Sequence, residues 1–211
     1  MVAQTMITSE AQLRSLYRAP AERALRKQMA QLDAHCQQFI ALSPLCVLAT
    51  GGATGQWMDA SPRGGAPGFV HVHDAQTLWI PDAGGNNRLD TLSNLLHDPR
   101  IGMLFIVPGV NETLRVNGTV CLREERSFTQ HFATEQFTPA LVLEVQVREA
   151  YLHCAKAFMR SKLWQPEALM PREVLPSMNQ MVHAQMGLGA PEESQQAMEQ
   201  RYLEQIHKEQ R

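Results

Sequence analysis

The sequence predicts an α+β fold built around a small β-barrel, and three observations carry that expectation. The middle hundred residues break into short apolar or alternating runs separated by turns rich in Gly, Pro and Asp. That is the pattern of antiparallel strands rather than of a parallel sheet. Apolar spacing with the helical period is strongest before the first of these runs and after the last. Nothing repeats at a period of 20–50 residues, which excludes solenoids and propellers.

Taken in order, Pro20 opens a helical pattern in which Leu25, Met29, Leu32, Cys36 and Phe39 recur in steps of three and four. This predicts one helix of about five turns, ended by Ser43-Pro44. Residues 45–50 read as a short apolar strand, with Gly51, Gly52 and Gly55 making the turn. Residues 57–61 lead into a second break at Pro62-Arg63-Gly64-Gly65. Residues 68–73 and 77–81 read as a hairpin around Asp74-Ala75-Gln76. Leu89, Leu92, Leu95 and Leu96 mark a short helix stopped at Asp98-Pro99. Residues 101–107 form a continuous apolar strand of the kind buried on both faces. Residues 113–122 alternate, with Leu114, Val116, Val120 and Leu122 on one side and Thr113, Arg115, Asn117, Thr119 and Cys121 on the other. A helix is expected over 124–133 and another alternating strand over 140–147. Beyond Glu149 the pattern turns helical, with His153, Lys156 and Arg160 on one face. A polar helix follows the Gly187–Pro191 break.

Composition narrows the class. In 211 residues, 44% are apolar, enough for a core and too many for a disordered chain. The 19 basic residues against 21 acidic ones give a net charge of −2, which argues against a dedicated nucleic-acid binder. No apolar run approaches the ~20 residues of a membrane span. The first twenty residues hold Glu10, Arg14 and Arg18 and no apolar signal core. A cytoplasmic protein is therefore expected. Cys36, Cys46, Cys121 and Cys154 show neither zinc-ligand nor disulfide-scaffold spacing.

Four places carry chemistry. Gly84-Gly85-Asn86-Asn87-Arg88 precedes a helix, where free N–H groups and a guanidinium suit a phosphate; an Asn-capped turn fits the same residues. Ser61-Pro62-Arg63-Gly64-Gly65 puts a cation beside flexible backbone, as a binding loop or an ordinary turn would. Thr113, Arg115 and Asn117 line one face of a strand and supply donors in a row if that face meets a ligand. His71 and His73 share a strand face, but no third ligand stands at a usual spacing, so no metal is expected. No serine-nucleophile elbow and no general base stand out, so the catalytic residues are not assigned.

The run from Asp59 to Gly64, then Gly68-Phe69-Val70, Ile80-Pro81-Asp82, Gly85-Asn86-Asn87-Arg88 and the stretch from Glu112 to Gly118 resembles the pyridoxamine 5′-phosphate oxidase-like superfamily. His153-Cys154-Ala155-Lys156 with Arg160-Ser161 and Leu163-Trp164 is similar to the tail of an FMN-binding branch of that superfamily. The resemblance covers residues 6–166. It implies a six-stranded antiparallel split β-barrel with flanking helices, and a homodimer holding FMN at its interface. It divides the chain into an N-terminal helical segment (1–43), an FMN-binding split-barrel domain (44–166) and a C-terminal helical extension (167–211). It implies that Arg63 and Arg88 hold the FMN phosphate, with Ser61, Asn86 and Asn87 as polar contacts. Ile80 and Pro81 would line the ribityl chain through their backbone, and Thr113 and Arg115 would reach the cofactor from the other subunit. The tail after Pro166 departs from the vitamin-synthesising oxidases, so Lys156 and Arg160 stand as replacements for their C-terminal contacts. The implied activity is an FMN-dependent oxidoreductase acting on a small molecule. The alternatives are a flavin-binding sensor or storage module, and a split barrel that uses haem or deazaflavin.

Overall fold

A computed structural model of the chain describes residues 6–53 and 56–210. The first five residues of the expected N-terminal segment, Gly55 of the expected turn, and the last residue of the C-terminal extension lie outside them. Helices α1 (Glu10–Ser15), α2 (Glu22–Arg26) and α3 (Ala34–Leu42) come first. They are followed by β1 (Leu45–Thr50), β2 (Asp59–Gly64), β3 (His71–Asp74) and β4 (Thr77–Pro81). Helix α4 (Asp90–His97) leads into β5 (Arg100–Ile106), β6 (Thr113–Arg123), the single turn α5 (Arg126–Thr129) and β7 (Val142–His153). The chain ends in α6 (Lys156–Ser161), α7 (Met178–Gln185) and α8 (Gln195–Gln210).

The strands form one antiparallel sheet in the order β2-β1-β5-β6-β7-β4-β3, with β2 and β3 at its unpaired edges. Cross-strand register places Arg63, Cys46, Phe105, Leu114 and Leu152 in one row. Alternation along β1, β5 and β6 turns Cys46, Leu48, Met103, Phe105, Leu114 and Val116 inward, where all are buried. Leu32, Cys36 and Ile40 cover this core from the helical side. The Ser43 hydroxyl, buried at the end of α3, donates to the Leu45 and Ile106 carbonyls and so ties the helix to the start of β1 and the end of β5. The expectation of an α+β fold on antiparallel strands holds.

Four expectations are corrected. β2 runs through Pro62 instead of breaking there, and the sheet counts seven strands, compatible with the six-stranded type of split barrel. β2 pairs with β1 alone, and an edge strand tolerates a residue without an N–H. The five-turn N-terminal helix is α2 and α3 with an extended stretch between them. Met29 exchanges hydrogen bonds of 3.0 and 2.8 Å with Ala150, and the Asp33 carboxylate restarts the helix by accepting from the Cys36 N–H at 2.8 Å. The strand 101–107 is buried on one face and half-buried on the other, not buried on both. The helix expected from beyond Glu149 begins only at Lys156, because the residues up to His153 continue β7. A bulge between Val147 and Glu149 shifts the inward set from Leu143, Val145 and Val147 to Ala150, so alternation is broken in the sequence while the strand continues.

Candidate functional site

On β2 the side chains of Asp59, Ser61 and Arg63 alternate onto the core side of the edge, each half-buried. The Asp59 carboxylate accepts the Ser61 hydroxyl at 2.9 and 3.0 Å and the Thr91 hydroxyl, from the first turn of α4, at 2.6 Å. Arg63 donates to the carbonyl of its neighbour Pro62 at 3.1 Å. Its charge acts on Asp82, just past β4: burial pushes that carboxyl up, and the guanidinium pulls it part of the way back. Cys46, opposite Arg63, has its thiol pushed up to about 12 by burial. It is a packing residue and not a nucleophile.

The loop between β4 and α4 carries Arg88, three residues before the Thr91 that Asp59 holds. The Asn86 side chain accepts the Arg88 N–H at 3.0 Å in an Asx turn, and Asn87 and Leu89 adopt left-handed backbone at φ 58° and 59°. The helix therefore starts at Asp90, so Asn86 and Asn87 lie in the loop before it and not at its first turn. Arg88 donates to the Asp90 carboxylate at 2.7 and 3.4 Å. Gly85 is open on its side-chain side. A Cβ on Gly84 would contact Gln205 and Glu209 of α8 at 3.5 Å, so the C-terminal helix lies against this loop. Ile80 is fully buried, backbone included, and Pro81 is half-buried.

A second set of expected residues stands elsewhere. Arg115 is exposed on the outer face of β6, three strands and about 14 Å from Arg63 in the sheet. It donates to the Tyr151 hydroxyl at 2.9 Å and lies 5.6 Å from the centre of that ring. Lys27 lies 5.3 Å from the same centre and donates to the Leu152 carbonyl at 2.6 Å. Thr113 is buried at the start of the strand. Lys156 and Arg160 are exposed on α6, which Trp164 pins to the loop before β6 by donating to the Val110 carbonyl at 3.0 Å.

Within one chain, Ser61 and Arg63 stand on β2, and Asp59 of the same strand holds Thr91, three residues after Arg88, while Arg115 stands on the opposite face of the sheet and Lys156 and Arg160 on α6. Sequence reasoning missed Asp59, Asp82 and Thr91 as members of the first set, and Tyr151 as the partner of Arg115. The spacing Asp59-Ser61-Arg63 carried a strand signal for the first; for Thr91 only the chain's return through α4 reveals it. His71 and His73 pack around Trp79, His73 stacked at 4.3 Å, with the His131 ring 4.1 Å from His71. Among the described residues, no group of three or more His, Cys, Asp or Glu is placed to hold a metal ion. Nor is any described helix long and apolar enough to cross a membrane.

Residues 32–154 match the family model of pyridoxamine 5′-phosphate oxidase. Among solved structures, HupZ of Group A Streptococcus is 17% identical, covering 57% of this chain and 93% of its own at a TM-score of 0.48. A Lactobacillus delbrueckii protein named for pyridoxamine 5′-phosphate oxidase is 20% identical, covering 58% and 95% at 0.43. The FAD binding protein of Mycobacterium smegmatis is 13% identical, covering 59% and 100% at 0.39. No curated protein matches the chain.

Proposed function

Since the chain belongs to the pyridoxamine 5′-phosphate oxidase family, we propose that it is an FMN-binding oxidoreductase acting as a homodimer on a small molecule. The observation that carries the reading is the cluster at the β2 edge, where Ser61, Arg63 and Arg88 offer one hydroxyl and two guanidinium donors. That is the chemistry a phosphate takes, and the planar fork of Arg binds two oxygens at once. Arg63 fits the role directly, because among the described residues its one side-chain hydrogen bond is to the adjacent Pro62 carbonyl. Arg88 fits it by exchanging Asp90 for the phosphate, an exposed pair that is weakly held. Asn86 and Asn87 shape the loop that presents Arg88, and Pro81, half-buried just after the fully buried Ile80, offers backbone along the bound molecule.

The second set of residues supports the homodimer. Thr113 and Arg115 belong to the side of the sheet opposite Arg63, and on this reading a second copy supplies them. The outer face of β1 and β5, with Leu45, Val47, Leu104 and Ile106 half-buried and apolar, is a surface on which that copy can pack. Lys156 and Arg160 extend the cationic side of the site from α6. A bound flavin supplies a two-electron acceptor for hydride. The protein's part is to hold the phosphate, orient the ring and present Arg115 where negative charge builds up on reduction.

The test is an absorption spectrum of freshly purified protein, before and after titration with FMN. Flavin bands that perturb and saturate near one per chain support the reading. No perturbation at any FMN concentration overturns it.

A further inference from the structure

We propose that Tyr151 is a positioning residue that holds Arg115 in the orientation the flavin of a second copy requires. The inference rests on the reading that Arg115 reaches that flavin. Arg115 stands on an exposed strand face, where a long side chain is free to sample many rotamers. Here it is fixed twice by one neighbour: a guanidinium N–H donates to the Tyr151 hydroxyl at 2.9 Å, and the guanidinium carbon lies 5.6 Å from the ring centre. The two residues are direct cross-strand partners, so the sheet itself sets their spacing.

Tyr151 is in turn held from its other neighbours. The Met29–Ala150 bridge straps the N-terminal segment to β7 one residue before Tyr151, and this brings Lys27 within 5.3 Å of the ring centre. The Lys27 ammonium is anchored on the Leu152 carbonyl at 2.6 Å, one residue after it. A half-buried phenol between two cations is a rigid acceptor, and the hydroxyl is its only part that chooses a direction for Arg115. On the next outward row of the same strands Asn117 donates to Glu149 at 2.9 Å, which keeps that carboxylate occupied and off the guanidinium.

The experiment titrates the full-length chain with FMN for the wild type, Y151F, R115A and the double variant, and measures the flavin midpoint potential of each. Y151F keeps the ring, and with it both cation contacts and the packing, and removes only the hydroxyl. The expected result is a loss of FMN affinity of about tenfold in Y151F, the lower end of the worth of one hydrogen bond to a charged group. The potential of Y151F should shift negative, in the direction of R115A but by less. In the R115A background the Y151F change should add nothing. If Y151F binds FMN and holds its potential like the wild type while R115A does not, the positioning role is overturned and the flavin reading stands. The positioning role is equally overturned if Y151F weakens binding to the same extent with and without Arg115. If R115A itself changes neither quantity, Arg115 does not reach the flavin, and the inference falls with that part of the reading.

Discussion

Asp82 shows how a single residue ties the proposed site to stability. Its carboxyl is pushed above the usual range by burial, with Arg63 pulling the other way. A carboxyl raised in the folded state contributes stability while protonated, at pH below its unfolded pKa of about 3.9, and loses it as pH rises through the folded value. At neutral pH the ionised group therefore opposes folding. Asp82→Asn should raise the melting temperature at pH 7, and the gain should shrink to nothing as the pH falls below about 4. Melting curves across that range check this; a variant less stable at pH 7 would mean that the Arg63 pair outweighs desolvation. Arg88 is the opposite case. It is exposed, and its pair with Asp90 is of the kind that adds little to stability. Arg88→Ala should leave the melting temperature unchanged and weaken FMN binding on the order of tenfold or more, as loss of a charged hydrogen bond does. Unchanged affinity would remove Arg88 from the phosphate site.

At the scale of elements, the central device is the bulge in β7. It lets β7 pair along all of β6 while changing which of its residues face inward, and it requires close approach of the two backbones. A Cβ on Gly118 would run into the Gln146 carbonyl oxygen and meet Val145 at 3.0 Å. Gly118→Ala should therefore destabilise the fold by about 1–3 kcal/mol, the usual range for overpacking a core. Urea unfolding measures that directly, and an unaltered midpoint would mean that the strand pair relaxes freely. The same bulge explains what was legible in the sequence. The first strand, the β3–β4 hairpin and β6 show their own period in a few residues, so local patterning reveals them. β7 reads as a strand only up to Val147, because Arg148 interrupts the alternation and Leu152 then falls in line with Ala155 and Met159 of the helix α6 that follows. Met29 and Leu32 mislead in the same way: their spacing is helical, but a bridge to Ala150 and a bond to the Ala75 carbonyl hold them extended. Of the site, the Ser61–Arg63 and Arg88 segments were readable as motifs. Asp59, Thr91 and Tyr151 join through contacts 32 to 36 residues apart, which no local pattern encodes.

For the whole molecule, the proposed donors fall in two places, the β2 edge and the outer face of β6. Ser61, Arg63 and Arg88 gather at the β2 edge, while Arg115 stands on the opposite face three strands away. The C-terminal extension adds a long helix, tied together through Glu193, which accepts from Asn179 and Arg201 at 3.0 Å and whose far end rests against Gly84. A closed two-fold dimer would place the edge of one copy against the outer face of the other and build two equivalent sites. The measurement that reaches this claim most directly is complementation between two defective chains. R88A and R115A chains carrying different tags are co-expressed, the doubly tagged dimer is isolated, and FMN is titrated into it. Each such dimer should hold one site with both arginines and one with neither, so binding of wild-type affinity should return at about one FMN per dimer. If the mixed dimer binds no better than its two parents, the arginines do not meet across the interface, and the flavin site is not built as described.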